Sequence, residues 1–454
     1  MHNQTDLIFS FDTEDFTSNT AADAIYREAE ILRNLGIRGC FCVVGLLAQQ
    51  LRAWGRDDVI EALSHHEIAT HTWGHTYHPI INEYTDIEDF DTAYRKVLRQ
   101  ETEATQMLRE TFGIETVYAA VPPGNQKSYA AMYAYADMGI PVYADTVCDT
   151  PTGDGVYYCN LFHMEYAFEM ESCFFDESCD DAMLLEILDR LAGRGHAIVY
   201  THPHIAMFSR HWDSLNYYKE NQYPFGQWVE APRRTEEDTE RFYRNLKRFA
   251  ELAQNDRRFR ITTYRDVADR LEQNPPRVIT RADLPKIKTH LENGLYPFSD
   301  GASYSLSDLF HACRAFLCGE NTYLCGKVMG FLSAPECASV PCTVTEQQLK
   351  ETAASIPADG FLPTTVTVGG NTVGPADFLY AALEILCGAQ TAQIPSGREQ
   401  LPSLDAIPQT RDLSFVGTWM HSDSFRDLYL SERLRLQSWT MRFQTDFTDK
   451  RSAP

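Results

Sequence analysis

The run Asp6-Leu7-Ile8-Phe9-Ser10-Phe11 has the composition of a short buried strand, and an acidic cluster, Asp12-Thr13-Glu14-Asp15, follows it directly. A second strand-like segment, Glu67-Ile68-Ala69-Thr70, leads into His71-Thr72-Trp73-Gly74-His75. Ligands bind at the carboxyl ends of strands in parallel sheets, so both clusters are expected at one shared site. Two histidines and a carboxylate are the ligands of a hydrolytic metal site, which leaves one position open for water.

From about Thr5 to about Gln273, strand-like apolar runs alternate with amphipathic stretches, which is the pattern of a β/α architecture. Helices are predicted at Ala21 to Leu35, Asp86 to Phe112, Asp181 to Ala192, Glu236 to Asn255 and Tyr264 to Glu272. Strands are predicted at Cys40 to Val44, Val117 to Val121, Ala197 to Tyr200 and Arg260 to Thr263. Since side chains alternate along a strand, Asp12 and Glu14 should share one face and Asp15 the other.

The tandem prolines of Asn274-Pro275-Pro276 cannot continue a helix and mark a boundary. A chain of 454 residues is too long for one ordinary core, so we predict two domains, residues 1–273 and 277–454. The second is expected to be mainly helical, with helices at Leu306 to Leu317 and Pro375 to Leu386. A faint internal repeat relates the segment from Tyr304 to Phe310 to the segment from Thr372 to Leu379.

The net charge of −24 disfavours nucleic acid and acidic membrane surfaces as partners, because a phosphate-binding face needs clustered Lys and Arg. The N-terminus lacks the features of a signal peptide, and no apolar run approaches the ~20 residues of a membrane helix. The chain as written is therefore expected to be cytoplasmic, with bacterial cell-wall association the alternative if a leader is missing.

The motifs of the first domain resemble, in order, those of the NodB-like polysaccharide deacetylases. His71, Thr72 and His75 match the family's central motif, a His, a Ser or Thr, two free positions and a second His. The cluster from Asp12 to Asp15 is a spaced variant of the family's acid pair, and Tyr200-Thr201-His202 matches its motif of Leu, a free position and His. The resemblance implies an α/β fold, a deformed (β/α) barrel of the NodB-homology type.

The resemblance also implies a function, the hydrolysis of N-acetyl amide bonds in an amino sugar or polysaccharide. Metal-bound water would attack the acetyl carbonyl, with Asp12 as base and His202 as acid, and His204 is the alternative acid. His71 and His75 would hold a divalent ion, preferably zinc, with Co, Mn or Ni as alternatives. Glu14 is the preferred carboxylate ligand because it shares a face with Asp12, and Asp15 competes with it. Pro122, Pro123 and Tyr200 would contact the substrate.

Two motifs depart from the family pattern. Ala120-Val121-Pro122-Pro123-Gly124 keeps the proline of the third motif but lacks its arginine, which would orient the base. The fourth motif, an acid that supports the catalytic His, is placed loosely between Tyr143 and Asp149. The alternatives to a sugar deacetylase are therefore a catalytically silent glycan-binding protein that retains the fold and a hydrolase of a non-sugar amide.

The second domain resembles pseudomurein-binding-type repeats. The residues that carry this resemblance are Leu362 to Val373, followed by Asp377-Phe378-Leu379-Tyr380. It implies a glycan-binding or substrate-positioning accessory domain.

Overall fold

The computed structural model of the protein describes residues 4–144, 153–219, 222–403 and 420–444. In chain order, the strands are β1 (Thr5–Thr13), β2 (Cys40–Val43), β3 (Glu67–Thr70), β4 (Ala119–Ala120), β5 (Val142–Tyr143), β6 (Val156–Tyr158), β7 (Leu161–His163), β8 (Tyr166–Glu169), β9 (His196–Thr201), β10 (Phe259–Ile261), β11 (Val278–Thr280), β12 (Phe298–Asp300), β13 (Ala302–Tyr304), β14 (Thr322–Leu324), β15 (Cys342–Thr345), β16 (Val366–Val368), β17 (Asn371–Val373), β18 (Thr391–Ile394) and β19 (Arg442–Phe443).

The α-helices are α1 (Ala21–Asn34), α2 (Gly45–Trp54), α3 (Asp57–Ser64), α4 (Ile81–Thr85), α5 (Phe90–Phe112), α6 (Tyr129–Asp137), α7 (Glu171–Phe174), α8 (Asp181–Leu191), α9 (Asp213–Asn216), α10 (Glu236–Asn255), α11 (Tyr264–Glu272), α12 (Leu284–Leu291), α13 (Leu306–Leu317), α14 (Glu346–Ser355), α15 (Pro375–Leu386) and α16 (Leu430–Leu436). Short 3-10 turns at Pro123–Asn125 and Pro203–Ala206 follow β4 and β9.

One large sheet organises the N-terminal part of the chain. Its strands follow the order β8, β9, β1, β2, β3, β4, β5, β7, β6 and β19, and β10 pairs with the first residues of β1. Neighbours from β8 to β7 are parallel, whereas β6 and β19 are antiparallel additions at one edge. The curled sheet runs from edge to edge without closing, which confirms the predicted α/β class and deformed barrel.

β1 is an interior strand of this sheet, third from the β8 edge, and all its residues are buried. It pairs with β9 on one side and with β2 on the other, with Phe11 opposite Thr201 and Asp12 opposite Cys42. Because these strands and β3 are parallel, their carboxyl ends meet at one edge of the sheet. The acidic cluster, the histidine segment after β3 and His202 after β9 are therefore carried to the same edge.

Several predicted helices are confirmed with the same bounds, namely α10, α11, α13 and α15. The prediction of one helix from Asp86 to Phe112 is wrong at its start, because α5 begins only at Phe90, after the separate α4. Asp89 is the N-cap, and its carboxylate accepts a hydrogen bond of 2.8 Å from the Thr92 N–H. The strand predicted from Val117 to Val121 is reduced to the two residues of β4.

The faint repeat corresponds to a duplicated structural unit in the C-terminal part. Each copy runs strand, helix, hairpin, helix, strand, from β11 to β14 and from β15 to β18. In each copy the first and last strands pair antiparallel. Each second helix has a fully buried aspartate in its first turn, Asp308 paired with Arg277 at 2.6 Å and Asp377 paired with Arg398 at 3.1 Å. Helices predominate here, as predicted, and small two-stranded sheets join them.

The buried apolar side chains form two large clusters. One cluster packs on one face of the large sheet, and the other lies between the helices of the duplicated unit. A smaller cluster that includes Ile8 and Cys42 lies on the opposite face of the sheet. The last described segment returns to the first cluster through Met441 and Phe443, and β19 pairs with β6. The chain after the duplicated unit therefore contributes to both cores. No helix of the described residues is long and apolar enough to cross a membrane.

Candidate metal centre

Glu14, His71 and His75 converge at the carboxyl end of the central strands. Glu14 Oε2 lies 2.7 Å from Nε2 of His75 and 3.4 Å from Nε2 of His71. One ligand atom from each residue lies within 4.8 Å of the other two, and all three side chains are buried. Burial alone would raise the pKa of Glu14, but the His75 and His71 imidazoles hold that pKa well below its usual range. The group combines an anionic oxygen with two imidazole nitrogens, as catalytic metal sites do.

The histidine segment is a tight loop. Thr72 and His75 both have left-handed backbones, with φ of 65° and 52°. Such conformations cost of order 1–3 kcal/mol each for residues other than glycine and concentrate at functional sites. The Thr72 hydroxyl accepts a hydrogen bond of 3.1 Å from the His75 N–H, and His71 Nδ1 donates to the Val121 carbonyl at 2.7 Å. These contacts leave Nε2 of His71 directed at Glu14.

Glu101 of α5 supports the loop from behind. Its carboxylate accepts hydrogen bonds from the Trp73 N–H at 3.2 Å and from the Tyr135 hydroxyl at 2.9 Å. Burial raises the pKa of Glu101 from its usual 4.5 to about 7. The carboxyl group is thus favoured in its protonated form in the folded protein, and its ionisation above that pH opposes folding.

We expect Glu101→Gln to remove a pH-dependent loss of stability. The native state holds the proton more tightly than the unfolded chain, so the wild type loses stability as pH rises from 4.5 to about 7. The glutamine variant should therefore gain up to about 3 kcal/mol relative to the wild type between pH 4.5 and pH 8. Urea unfolding of both proteins across this range measures the difference, and parallel stability curves would contradict the assignment.

Asp12 lies beside the histidine and glutamate group and is 6% exposed. Its Oδ2 is 3.8 Å from Nε2 of His202, and its Oδ1 has no hydrogen-bond partner among the described residues. Burial raises the pKa of Asp12. The missing arginine of the third motif is consistent with this unpaired oxygen, because an arginine at that position would pair with the carboxylate.

His202 is held by Glu171, which the sequence interpretation missed. Nδ1 of His202 and its backbone N–H both donate to Glu171 Oε1 at 2.8 Å. Burial alone would lower the pKa of His202, but the Glu171 carboxylate raises it well above its usual value. Glu171 follows β8, the parallel neighbour of β9, so the strand-end argument applied to Asp12 would also have found it. Residues 145–149, which include the predicted position of the supporting acid, lie outside the described residues.

Asp15 points away from the group that Glu14 joins. Its Oδ1 accepts hydrogen bonds from the Thr17 N–H at 2.9 Å and from the Thr17 hydroxyl at 2.6 Å. Both residues lie beyond the end of β1, and Asp15 is not in the group that Glu14 forms with the two histidines.

Further residues that the sequence interpretation missed surround Glu14. The Trp212 indole donates to Glu14 Oε1 at 3.0 Å, and Asp213 Oδ2 lies 3.8 Å from Nδ1 of His75. His204 and His211 approach the same Glu14 oxygen, with Nδ1 at 3.9 Å and 4.0 Å. Of these, the sequence indicates only His204, as an alternative acid. Trp212, Asp213 and His211 lie in a segment without a strand pattern, so no spacing in the sequence indicated them.

A cavity of about 440 Å³ opens over the site. Five of its lining residues are predicted catalytic residues or metal ligands, namely Asp12, Glu14, His71, His75 and His202. The lining also includes Pro122, Tyr166, Tyr200, His211 and Asp213. Of the predicted substrate contacts, Pro122 and Tyr200 line this cavity, whereas Pro123 is buried and does not line it. Tyr166 packs on Tyr200 with ring centroids 4.5 Å apart, which gives one wall an aromatic surface.

Sequence comparison relates this part of the chain to a known family. Residues 3–143 match the family model described as Polysaccharide deacetylase. The matched segment carries Asp12, Glu14, His71 and His75, and it ends before His202. It does not reach residues 277–454, so the resemblance of that part to pseudomurein-binding repeats stays a prediction. No curated protein sequence is significantly similar to the chain.

The solved structures that are similar to this chain are remote in sequence. The 4-alpha-glucanotransferase of Thermococcus litoralis is 11% identical, with a TM-score of 0.41 over 60% of this chain and 41% of the other. The peptidoglycan deacetylase PdaC of Bacillus subtilis, solved as a point mutant, is 14% identical, with a TM-score of 0.31 over 60% of this chain and 94% of the other. BA3943 of Bacillus anthracis, a CE4 family pseudoenzyme, is 14% identical, with a TM-score of 0.29 over 44% of this chain and 56% of the other.

Proposed function

We propose that the protein is a metal-dependent hydrolase of N-acetyl amide bonds, acting on an amino sugar or polysaccharide. The observation that carries the proposal is one cavity in which Glu14, His71 and His75 converge while Asp12 and His202 face each other at 3.8 Å. The family match over residues 3–143 supports a carbohydrate deacetylase in particular. The reaction breaks a carbon–nitrogen bond that is not a peptide bond and releases acetate.

The donor set fits a divalent transition metal. Glu14, His71 and His75 would hold it, and two imidazoles with one carboxylate are a known ligand set of catalytic zinc. Zinc is therefore the preferred ion, with cobalt, manganese and nickel as alternatives. A cation bound there supplies Lewis-acid chemistry, in which a carbonyl is polarised and water is acidified.

Asp12 and His202 divide the proton transfers between them. Asp12 accepts a proton from the attacking water, a role that its raised pKa suits because it makes the carboxylate a stronger base. His202 donates a proton to the leaving nitrogen through Nε2, the ring nitrogen that lies 3.8 Å from Asp12 Oδ2. Glu171 orients His202 from the opposite nitrogen and keeps it protonated, so the acid is ready before the substrate binds.

The walls of the cavity suit a sugar ring. The Tyr166 and Tyr200 pair offers an aromatic face for the C–H groups of a pyranose, and Pro122 forms another apolar side. Tyr218, which is 42% exposed, lies at the cavity wall where further sugar units of a polymer would pass.

We also propose that residues 1–273 and 277–454 are separate domains, the second an accessory domain. The two large apolar clusters favour this division. One segment departs from it, because β19 belongs by sequence to the second domain but pairs with β6 of the first. In this arrangement the chemistry belongs to the first domain alone.

Acetate release tests the function directly. The full chain, stripped of metal by a chelator and reloaded separately with Zn, Co, Mn or Ni, is incubated with N-acetylglucosamine oligomers. We expect acetate release with at least one metal, and none from the stripped protein or from Asp12→Asn. No release with any metal, while the oligomers still bind, would identify a catalytically silent glycan-binding protein. Release only from non-sugar acetamides would replace the sugar with another amide substrate.

A further inference from the structure

The Glu14 carboxylate lies between two sets of imidazoles. Its Oε2 faces His75 and His71 at 2.7 Å and 3.4 Å, which is the group described above. Its Oε1 faces the other way, with Nδ1 of His204 at 3.9 Å and Nδ1 of His211 at 4.0 Å. Oε1 also accepts a hydrogen bond from the Trp212 indole at 3.0 Å, and a carboxylate oxygen has a further lone pair for a second partner.

The second set has the spacing of a metal site. One ligand atom each from Glu14, His202 and His211 lies within 4.8 Å of the other two. The rings of His202 and His211 are 4.9 Å apart and nearly perpendicular, so they do not stack. Two imidazoles and a carboxylate again supply the donors that a divalent transition metal prefers.

His204 provides an independent observation at the same place. It is 2% exposed, and neither ring nitrogen has a hydrogen-bond partner among the described residues. Its ring lies 5.1 Å from that of His211 and 6.0 Å from that of His202. Burying a polar group without a partner costs free energy, so a buried imidazole with two unused nitrogens indicates a ligand at this position.

We propose that Glu14, His202 and His211, with His204 beside them, form a second site for a divalent transition metal that shares Glu14 with the first. Its occupation would release the Nε2 proton of His202 to solvent and engage that nitrogen, since Nδ1 is already bound to Glu171. Under the proposed function, that nitrogen delivers the proton to the leaving group. The second cation would therefore inhibit the enzyme, and this part of the inference rests on the proposed function, whereas the binding itself does not.

Metal stoichiometry tests the site without reference to activity. The metal-free full chain is dialysed against a series of free zinc concentrations, and bound zinc is measured by elemental analysis. We expect two equivalents in the wild type and in the control His65→Ala, an exposed histidine outside the cavity. His211→Ala should retain the first equivalent and raise the dissociation constant of the second at least about tenfold. His202→Gln should do the same, and it replaces His211→Ala if that variant does not fold.

Two results would overturn the second site. They are saturation of the wild type at one equivalent, and retention of both equivalents with unchanged affinity in the folded variant. The inhibition is tested separately, by comparing acetate release at one equivalent and at saturating zinc in each protein. Excess zinc should inhibit the wild type and His65→Ala but not His211→Ala. If no protein releases acetate, the proposed function fails, while the stoichiometry still decides the second site.

Discussion

Replacing His75 with alanine is expected to abolish metal binding at the first site and to lower kcat/KM by about three orders of magnitude or more, the several kcal/mol that a catalytic metal supplies. His75 Nε2 makes the shortest approach to Glu14 in the group, at 2.7 Å. Its removal leaves one imidazole and a buried carboxylate, too few donors for a stable site. Elemental analysis and acetate release, measured on the same preparation, check both effects.

His65→Ala is the matched control, because it removes a histidine that is exposed and remote from the cavity. It should retain wild-type metal content and turnover. The assignment would be wrong if His75→Ala kept its turnover while remaining folded. A loss of turnover with full metal content would show instead that His75 acts on the substrate and not on the metal.

Local patterns were sufficient to predict much of the fold. The apolar face and the capping residues of α10 and of α11 are local to each helix, so the sequence of the helix predicts its bounds. Thr263 and Asp266, for example, form a capping box that fixes where α11 begins. The break before α5 was not predictable in the same way. The sequence pattern includes Asp86 in the helix, but the Asp86 carboxylate accepts hydrogen bonds from the backbone of Leu428 and Tyr429, far away in the chain.

The site was predictable where it depends on strand ends. Asp12, Glu14 and His71 are predicted to meet by one rule, that parallel strands end at a common edge, whereas His202 is predicted by the family resemblance. The structure places all four in one cavity. Strand alternation predicts Glu14 over Asp15 as the partner of the histidines, but β1 ends at Thr13, and Asp15 instead accepts hydrogen bonds from Thr17. Trp212 and His211 reach Glu14 from a segment with little regular structure, and only the folded chain brings them there.

Replacing Glu171 with alanine should lower kcat/KM at pH 8 by about a hundredfold, which is within the range that general acid catalysis contributes. The Glu171 carboxylate raises the pKa of His202. Without it that pKa falls, so less of the imidazole is protonated at neutral pH. The alkaline limb of the pH profile should therefore move to lower pH. Profiles of kcat/KM for wild type and variant, measured with the metal-loaded protein, check the direction.

Glu171→Gln separates the charge of this side chain from its position. The glutamine oxygen still accepts the hydrogen bond from Nδ1 of His202, so the ring stays oriented while the negative charge is lost. We expect the same shift of the alkaline limb as in the alanine variant, but a smaller loss at the pH optimum. Ser172→Ala, on the same short helix and exposed, should leave the profile unchanged. Superimposable profiles for all the proteins would mean that His202 is not the acid, because its proton affinity would then have no effect on the rate.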